Sequence, residues 1–422
     1  MPAVFDTEVL WHQVQALTMN IWIWFVRAVL RVKPPELLGP GCDTQHSEDS
    51  CCFVEILNAG GVDQLRASSG KCWATCGYNI MKEFGGQLVP QLKGALPPGF
   101  VVVRNKAFSI NYADVCIRWG LYESALKYVG WPIVPGFDIA GVIEAASEES
   151  GYAEGDRVFG CSLFGGYSSR LVVPSRQIMR APASLTFEAA ASLPAVAATA
   201  LHAAHLAGLW PQEGFIGSNR DVLVHSAAGG VGDLLCQVLQ LCGARVVGVV
   251  GQASKVSSCK ANDTIDKSSE AWAPAAKRLA PEGYRAVFDA NGVGTLADSY
   301  SLLGRNGRLV VYGFHSNLPR VDSGLGLLSP FSWLRMSIGL LRTPSFDPMD
   351  MTLQSKAVLG FNLSFFAEEI EMMERYFSQL GEWIASGKIA APPVRTFALQ
   401  DVRNAHTALT SGRTVGKLVV TL

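Results

Sequence analysis

The texture of apolar and polar positions changes several times along the chain. Residues 14–26, VQALTMNIWIWFV, form an uncharged apolar run followed by Arg27, Arg31 and Lys33. The run falls short of the roughly 20 apolar residues that a membrane-spanning helix needs. Its Trp-rich face and basic flank suit a helix lying in a membrane interface, with peripheral contact through residues 14–32. The alternative, which the shortness of the run favours, is an extension packed on its own domain or on a partner. Residues 33–50, KPPELLGPGCDTQHSEDS, collect Pro, Gly and polar side chains and read as a linker. Residues 1–50 are therefore expected to be an N-terminal extension and linker.

From Cys51 the pattern is that of a folded body. CCFVEILNAGGVDQLRA reads as strand, Gly-Gly turn and strand, while residues 68–98 lack a clear period and read as an insertion. FVVVRNKAF starts a β-rich region that runs to Pro182 through PGFDIAGVIEA, EGDRVFG and GGYSSRLVVP. After Leu185 the alanine-rich TFEAAASLPAVAATALHAAHLAGL is helical, and the strands DVLVHS, ARVVGVVG, AVFDAN and RLVVYGF then alternate with helical segments. That alternation predicts a parallel sheet. The terminal strand GKLVVTL suggests that the chain returns to complete its first domain. The expected class is α/β, with one unit at 51–186 and 350–422 and the other at 187–349.

Composition narrows the chemistry. The 422 residues are 49% hydrophobic, enough for a large core, and 35 basic against 36 acidic side chains argue against a nucleic-acid surface. A small hydrophobic substrate fits better. Asp6 and Glu8 weaken a signal-peptide reading, so the ten cysteines read as reduced thiols in a cytoplasmic setting. Neither Cys51-Cys52 nor Cys72 with Cys76 has the further ligands of a structural zinc site.

HSAAGGVG opens the helix after DVLVHS. Ala227, Gly229 and Gly232 take the three positions of a G-x-G-x-x-G pattern, so Ala228, Gly229, Gly230, Val231 and Gly232 are expected to grip a pyrophosphate. An Asp or Glu at the end of the next strand would select NAD, but the chain reads GQASK there. Gly251, Ser254, Lys255 and the nearby Lys267 form a neutral and basic edge suited to the 2′-phosphate of NADPH. The alternative is that both lysines are ordinary solvated residues.

Taken in order, INYADVCIRWGLY, PGFDIAGVI, EGDRVFG, GGYSSRLVVP, AAASLPAVAATALHAA, HSAAGGVG and GRLVVYG resemble the medium-chain dehydrogenase/reductase superfamily in its zinc-independent quinone oxidoreductase branch. Within that branch, GLYESALKYVGWPIVPGFDIAGVI and AVLGFNLSFF resemble homologues of the vesicle amine transport protein. The resemblance implies a GroES-like β domain, a Rossmann domain, an active site in the cleft between them, and a homodimer. Zinc-dependent relatives carry Cys in the INYADV segment and Gly-His-Glu where this chain has Gly136-Phe137-Asp138, so a catalytic zinc is not expected. Cys116, nearby, reads as a small core residue.

Residue by residue, the resemblance places Asn111 beside the nicotinamide and Tyr122 as proton donor or enolate partner, or else as an aromatic packed on the cofactor. It places Thr199, Asn291, Gly313, Phe361, Asn362 and, more weakly, Lys417 along the dinucleotide. The family's phosphate-binding arginine falls at Gly412, with Arg413 beside it. Asp114 is expected to order its turn. His202 and His205 lie one helical turn apart and read as packing histidines, because no third ligand accompanies them.

Residues 321–353 form a long apolar stretch that reads as a cleft cover, a dimer surface or a membrane-touching patch. Three functions follow from these readings. One is an NADPH-dependent reductase of quinones or α,β-unsaturated carbonyls. The others are a membrane-associated nucleotide-binding protein with little turnover and a trans-acting enoyl reductase of a polyketide or fatty-acid pathway.

Overall fold

A computed structural model describes residues 50–422 except 71, 92–94, 211–218, 318–336, 340 and 366–368. The N-terminal run with its expected membrane contact, and residues 321–336 and 340 of the apolar stretch, lie outside the described residues.

Strands β1 (Cys52–Ile56) and β2 (Leu65–Ser69) pair antiparallel, as the Gly-Gly turn predicts. The larger sheet is built from β3 (Ala74–Cys76), β4 (Leu88–Val89), β5 (Phe100–Ile110), β6 (Asp138–Ala146), β7 (Arg157–Cys161), β8 (Arg170–Pro174) and β9 (Ile178–Arg180). Its order is β4-β3-β8-β5-β6-β7-β9. The stretch 68–98 thus supplies β3 and β4 to this sheet. Strand β6 approaches β5 so closely that a Cβ at Gly141 would meet the Arg104 carbonyl oxygen at 2.1 Å.

A second sheet holds β10 (Asp221–His225), β11 (Arg245–Val250), β12 (Asp263–Asp266), β13 (Tyr284–Asp289), β14 (Leu303–Val311) and β15 (Ala357–Gly360). All its pairings are parallel, in the order β12-β11-β10-β13-β14-β15. Side chains alternate across it. Val222 and Val224 enter one core with the Pro194–Leu206 and Gly230–Leu241 helices, while Leu223 enters another with Val247, Ile265 and Leu309. Burial on both faces explains why these strands read as continuous apolar runs. The alanine-rich helical segment forms two helices, Phe187–Ala191 and Pro194–Leu206, because Pro194 cannot continue one helix but suits the first turn of the next.

After the Ile370–Ala385 helix come β16 (Val394–Ala398), the Val402–Thr410 helix and β17 (Lys417–Thr421). Strand β17 pairs with β16 and, antiparallel, with β5, so the chain does finish in the first sheet. The architecture is a GroES-like β domain joined to a Rossmann-type parallel sheet. The two meet directly where the Gly416 N–H donates to the Ala228 carbonyl at 3.1 Å.

Gly136 shows how tight the turn before β6 is. Its φ of 102° lies in the left-handed region, and a Cβ there would stand 2.4 Å from Tyr167 Cδ1. Gly136→Ala is expected to cost on the order of 3 kcal/mol. Denaturant unfolding measures it, and a loss under about 1 kcal/mol would show that the turn can relax.

Candidate active site

The strand-to-helix turn after β10 explains each glycine separately. Ser226 adopts φ 55°, and its carbonyl accepts from Gly229 N at 2.9 Å, closing the turn. A Cβ at Gly232 would lie 2.4 Å from the Ser226 oxygen, so this glycine lets the helix pack on the strand. At Gly229 the nearest such contact is 3.2 Å, and the residue lines a cavity, so its missing side chain leaves room for a ligand. A Cβ at Gly230 would meet the Lys417 stem at 2.7 Å. That glycine serves a side chain of the other domain.

The cavity has a volume of 590 Å³ and runs from Gly229, Val231 and Gly232 to Asn111, Tyr122 and Asn362. Thr199, Gly313 and Phe361 also line it, as do Cys116 and Thr343. Tyr112, Phe137, Tyr312, Phe314, Met373 and Phe377 make its wall largely apolar. The sequence reading missed these six. The aromatics next to motif residues, in NYAD, GFD and VYGF, were the available signal. Ala228, Gly230, Gly251, Ser254, Lys255, Lys267, Asn291 and Lys417 do not line this space. Cys116, expected in the core, is buried and also forms cavity wall, and burial pushes its thiol up to about 12.

Tyr122 is nearly enclosed, and its hydroxyl donates to Asn362 Oδ1 at 3.1 Å. The same oxygen accepts from Ser364 N at 3.1 Å and Ser364 Oγ at 2.9 Å. Burial raises the phenol to about 12, so Tyr122 keeps its proton at neutral pH. Passing that proton to a substrate requires the hydroxyl to turn away from Asn362. Thr199 donates back to the Ala195 carbonyl at 2.7 Å, and Asn291 accepts from Ser226 Oγ at 3.2 Å.

Behind Asn111 lies a buried charged cluster. Asp138 Oδ2 accepts from Asn111 Nδ2 at 2.8 Å, from the Ser109 hydroxyl and from Lys417 Nζ at 3.4 Å, and its Oδ1 accepts from Ala195 N at 2.6 Å. Burial pushes the Lys417 ammonium down, while Asp138 and Asp114 hold it up. Asp114 does order its turn: it accepts from Asn111 N at 2.8 Å, Gly136 N at 3.2 Å and the Tyr167 hydroxyl at 3.1 Å. Its complete burial raises its carboxyl to about 7.

At the far end of β11, Lys255 Nζ donates to the Gly412 carbonyl at 2.8 Å, which brings the 412–413 turn to this edge. Burial and then the charge of Lys267 lower the Lys255 ammonium. Gly251 lies beside Lys267, and Ser254 Oγ accepts from Gln252 at 2.9 Å. Two cations are thus drawn together where the strand end offers no acid. Among the described residues, no group of three or more His, Cys, Asp and Glu is arranged to hold a metal.

Known proteins share this architecture. The alcohol dehydrogenase GroES-like domain matches residues 97–183, and zinc-binding dehydrogenase matches residues 259–420. A zinc-type alcohol dehydrogenase-like protein of Schizosaccharomyces pombe is 33% identical over 286 residues, covering 59% of this chain and 80% of its own. The chain belongs to the medium-chain dehydrogenase/reductase family, in its quinone oxidoreductase-like branch. The synaptic vesicle membrane protein VAT-1 homolog of Danio rerio is 28% identical over 333 residues, 78% of this chain. The match spans 65% of that protein's length. The fold of the Escherichia coli quinone oxidoreductase, solved with NADPH, superposes with a TM-score of 0.66 at 24% identity, covering 88% of this chain and all of that one.

This medium-chain dehydrogenase/reductase also ties its cleft wall to its helices through histidine. His202 Nδ1 and His205 Nδ1 each lie 2.9 Å from the Tyr376 hydroxyl, and the His202 ring meets Phe361 edge-on at 4.6 Å. The hydroxyl has one proton, so one imidazole accepts while the other donates. Burial, and then His205, lower His202 to about 4. The unfolded chain takes up a proton near pH 6.5, whereas the folded chain stays neutral until about 4, so stability falls as pH falls through that window. Thermal unfolding between pH 7 and 5 should show it, and His202→Gln should remove about 1.4 kcal/mol per pH unit of the slope below pH 6.5. An unchanged slope would mean that His202 charges freely in the folded protein.

Proposed function

We propose that this protein is an NADPH-dependent reductase of quinones or α,β-unsaturated carbonyl compounds that works without zinc. The observation that carries the reading is the single apolar cavity joining the glycine turn to Asn111, Tyr122 and Asn362. The residues fit the cofactor. Gly229 leaves open space at the turn, and Lys255 and Lys267 supply a cationic edge for a 2′-phosphate. NADPH complexes of a fold relative point the same way. Where zinc relatives carry Cys and Gly-His-Glu, the INYADV segment has no Cys and Phe137 offers no ligand atom. Asp138 is already engaged by four donors.

When bound, NADPH supplies the hydride. The chain's residues then have to exclude water, orient the acceptor and stabilise negative charge on its oxygen. Aromatic walls perform the first task. Asn111 uses one amide hydrogen on Asp138 and has a second to offer an oxygen in the cavity. Tyr122, protonated at neutral pH, is the proton source for an enolate.

NADPH oxidation with a panel of quinones and enones tests the function; binding of NADPH without turnover on any acceptor would refute it. Tyr122→Phe should lower enone turnover by about 100-fold while leaving NADPH affinity intact, whereas a change under about 3-fold would assign Tyr122 to packing alone. Lys255→Ala with Lys267→Ala should raise the KM for NADPH by about 10- to 100-fold and spare that for NADH. Equal losses for both cofactors would remove the 2′-phosphate assignment.

A second reading, a membrane-associated nucleotide-binding protein with little turnover, draws on the likeness to the vesicle membrane protein homolog. Liposome flotation of the full chain and of residues 50–422 separates the two: binding by the full chain only, with no NADPH turnover, favours the second.

A further inference from the structure

We propose that Lys417 is a positioning residue that fixes the Asn111 amide and couples it to the glycine turn. The lysine ammonium lies 2.6 Å from Asn111 Oδ1, 3.3 Å from the Ile110 carbonyl and 3.4 Å from Asp138 Oδ2. Its side chain is 5% exposed and that of Asp138 is fully buried. An ammonium can only donate and a carboxylate can only accept. Asn111 stands between them, so its amide has one orientation, with Oδ1 toward Lys417 and Nδ2 toward Asp138. The second Nδ2 hydrogen is the one left for the cavity. Charge on both sides of the amide polarises it in the same sense, which strengthens that remaining N–H as a donor. The cleft therefore presents a fixed donor to an acceptor oxygen or a developing oxyanion.

Lys417 and Asn111 stand at adjoining ends of the paired strands β17 and β5, and the lysine side chain runs along the domain seam. Its stem passes over Gly230, where a Cβ would lie 2.7 Å from Cδ and 3.0 Å from Cγ. The residue before it, Gly416, binds the Ala228 carbonyl through its own N–H. One two-residue step of the chain thus contacts the ligand-facing turn on one side and the Asn111–Asp138 pair on the other. Gly230 is needed for the passage of Lys417, a role separate from holding phosphate.

The test uses the full chain, with Lys417→Met, Gly230→Ala and the double variant. In the protein without cofactor, the Asn111 side-chain amide, assigned by its loss in Asn111→Ser, should exchange its hydrogens at least about 10-fold faster in Lys417→Met than in wild type. With NADPH and an active acceptor, kcat should fall about 10-fold or more while the KM for NADPH stays within about 3-fold. Gly230→Ala, which keeps the lysine but displaces its stem, should move both readouts the same way, and the double variant should lose little more than Lys417→Met alone. If Lys417→Met does not fold, Gly230→Ala carries the test. Unaltered amide exchange overturns the proposal, and so does a raised KM for NADPH with kcat intact, which would make Lys417 a phosphate contact. The kinetic arm rests on the reductase reading, whereas the exchange arm does not. Absence of turnover in wild type would therefore defeat that reading and leave the exchange result to decide this one.

Discussion

The cleft depends on the return of the last strand to the seam between the two sheets. Strand β17 is held by β5 and β16 in the first sheet, yet its leading residues reach the glycine turn of the second through the Gly416 to Ala228 hydrogen bond. That contact ties the turn directly to the strand that neighbours the Asn111 segment. A cavity between two domains orients a reacting pair only if its walls keep their mutual geometry, because small misplacements cost large factors in rate. At the glycine turn the seam contributes to that constraint through the Gly416 backbone bond and the Lys417 stem.

Parts of this were visible in the residues because their causes are local. A strand running into small residues and an amphipathic helix specifies the turn after β10, and Gly229 and Gly232 there answer to Ser226 a few positions away, although Gly230 answers to the distant Lys417. The long apolar strands of the second sheet were equally legible. Strands β12 and β15 were not, since each has four residues at a sheet edge and carries little pattern of its own. The helical character of the alanine-rich segment is equally local, with Pro194 marking where its second helix begins.

The charged cluster escaped for a different reason. Lys417 and Asn111 are 306 positions apart, and Tyr122 and Asn362 are 240 apart, so no local period links them. A signal was nevertheless present. Asp138 stands in the apolar FDIAGV and Lys417 in the apolar GKLVV, and a charge inside a buried strand needs an opposite partner. Two such strands of opposite sign in one domain point to each other. The comparison of Gly136-Phe137-Asp138 with the Gly-His-Glu of zinc relatives concerns only metal binding, whereas in the fold Asp138 pairs with Lys417.

The two buried aspartates near the cleft divide the electrostatic work. Asp138 faces a lysine and three neutral donors. Asp114 faces Tyr167, whose hydroxyl also lies 3.1 Å from His406 Nε2. With Tyr167 donating to Asp114, His406 must donate through Nε2, and burial keeps this histidine neutral by pushing it well below its usual range. Its Nδ1 has no partner among the described residues. The Asp114 chain thus offers its carboxylate only neutral donors, which fits a carboxyl raised to about 7, whereas the ammonium beside Asp138 is what lets a second carboxylate sit fully buried a short distance away. Asn111 is the joint between them: its backbone N–H serves Asp114 and its side chain serves Asp138 and Lys417. Substituting either aspartate would move the same asparagine, and through it the polar edge of the cavity.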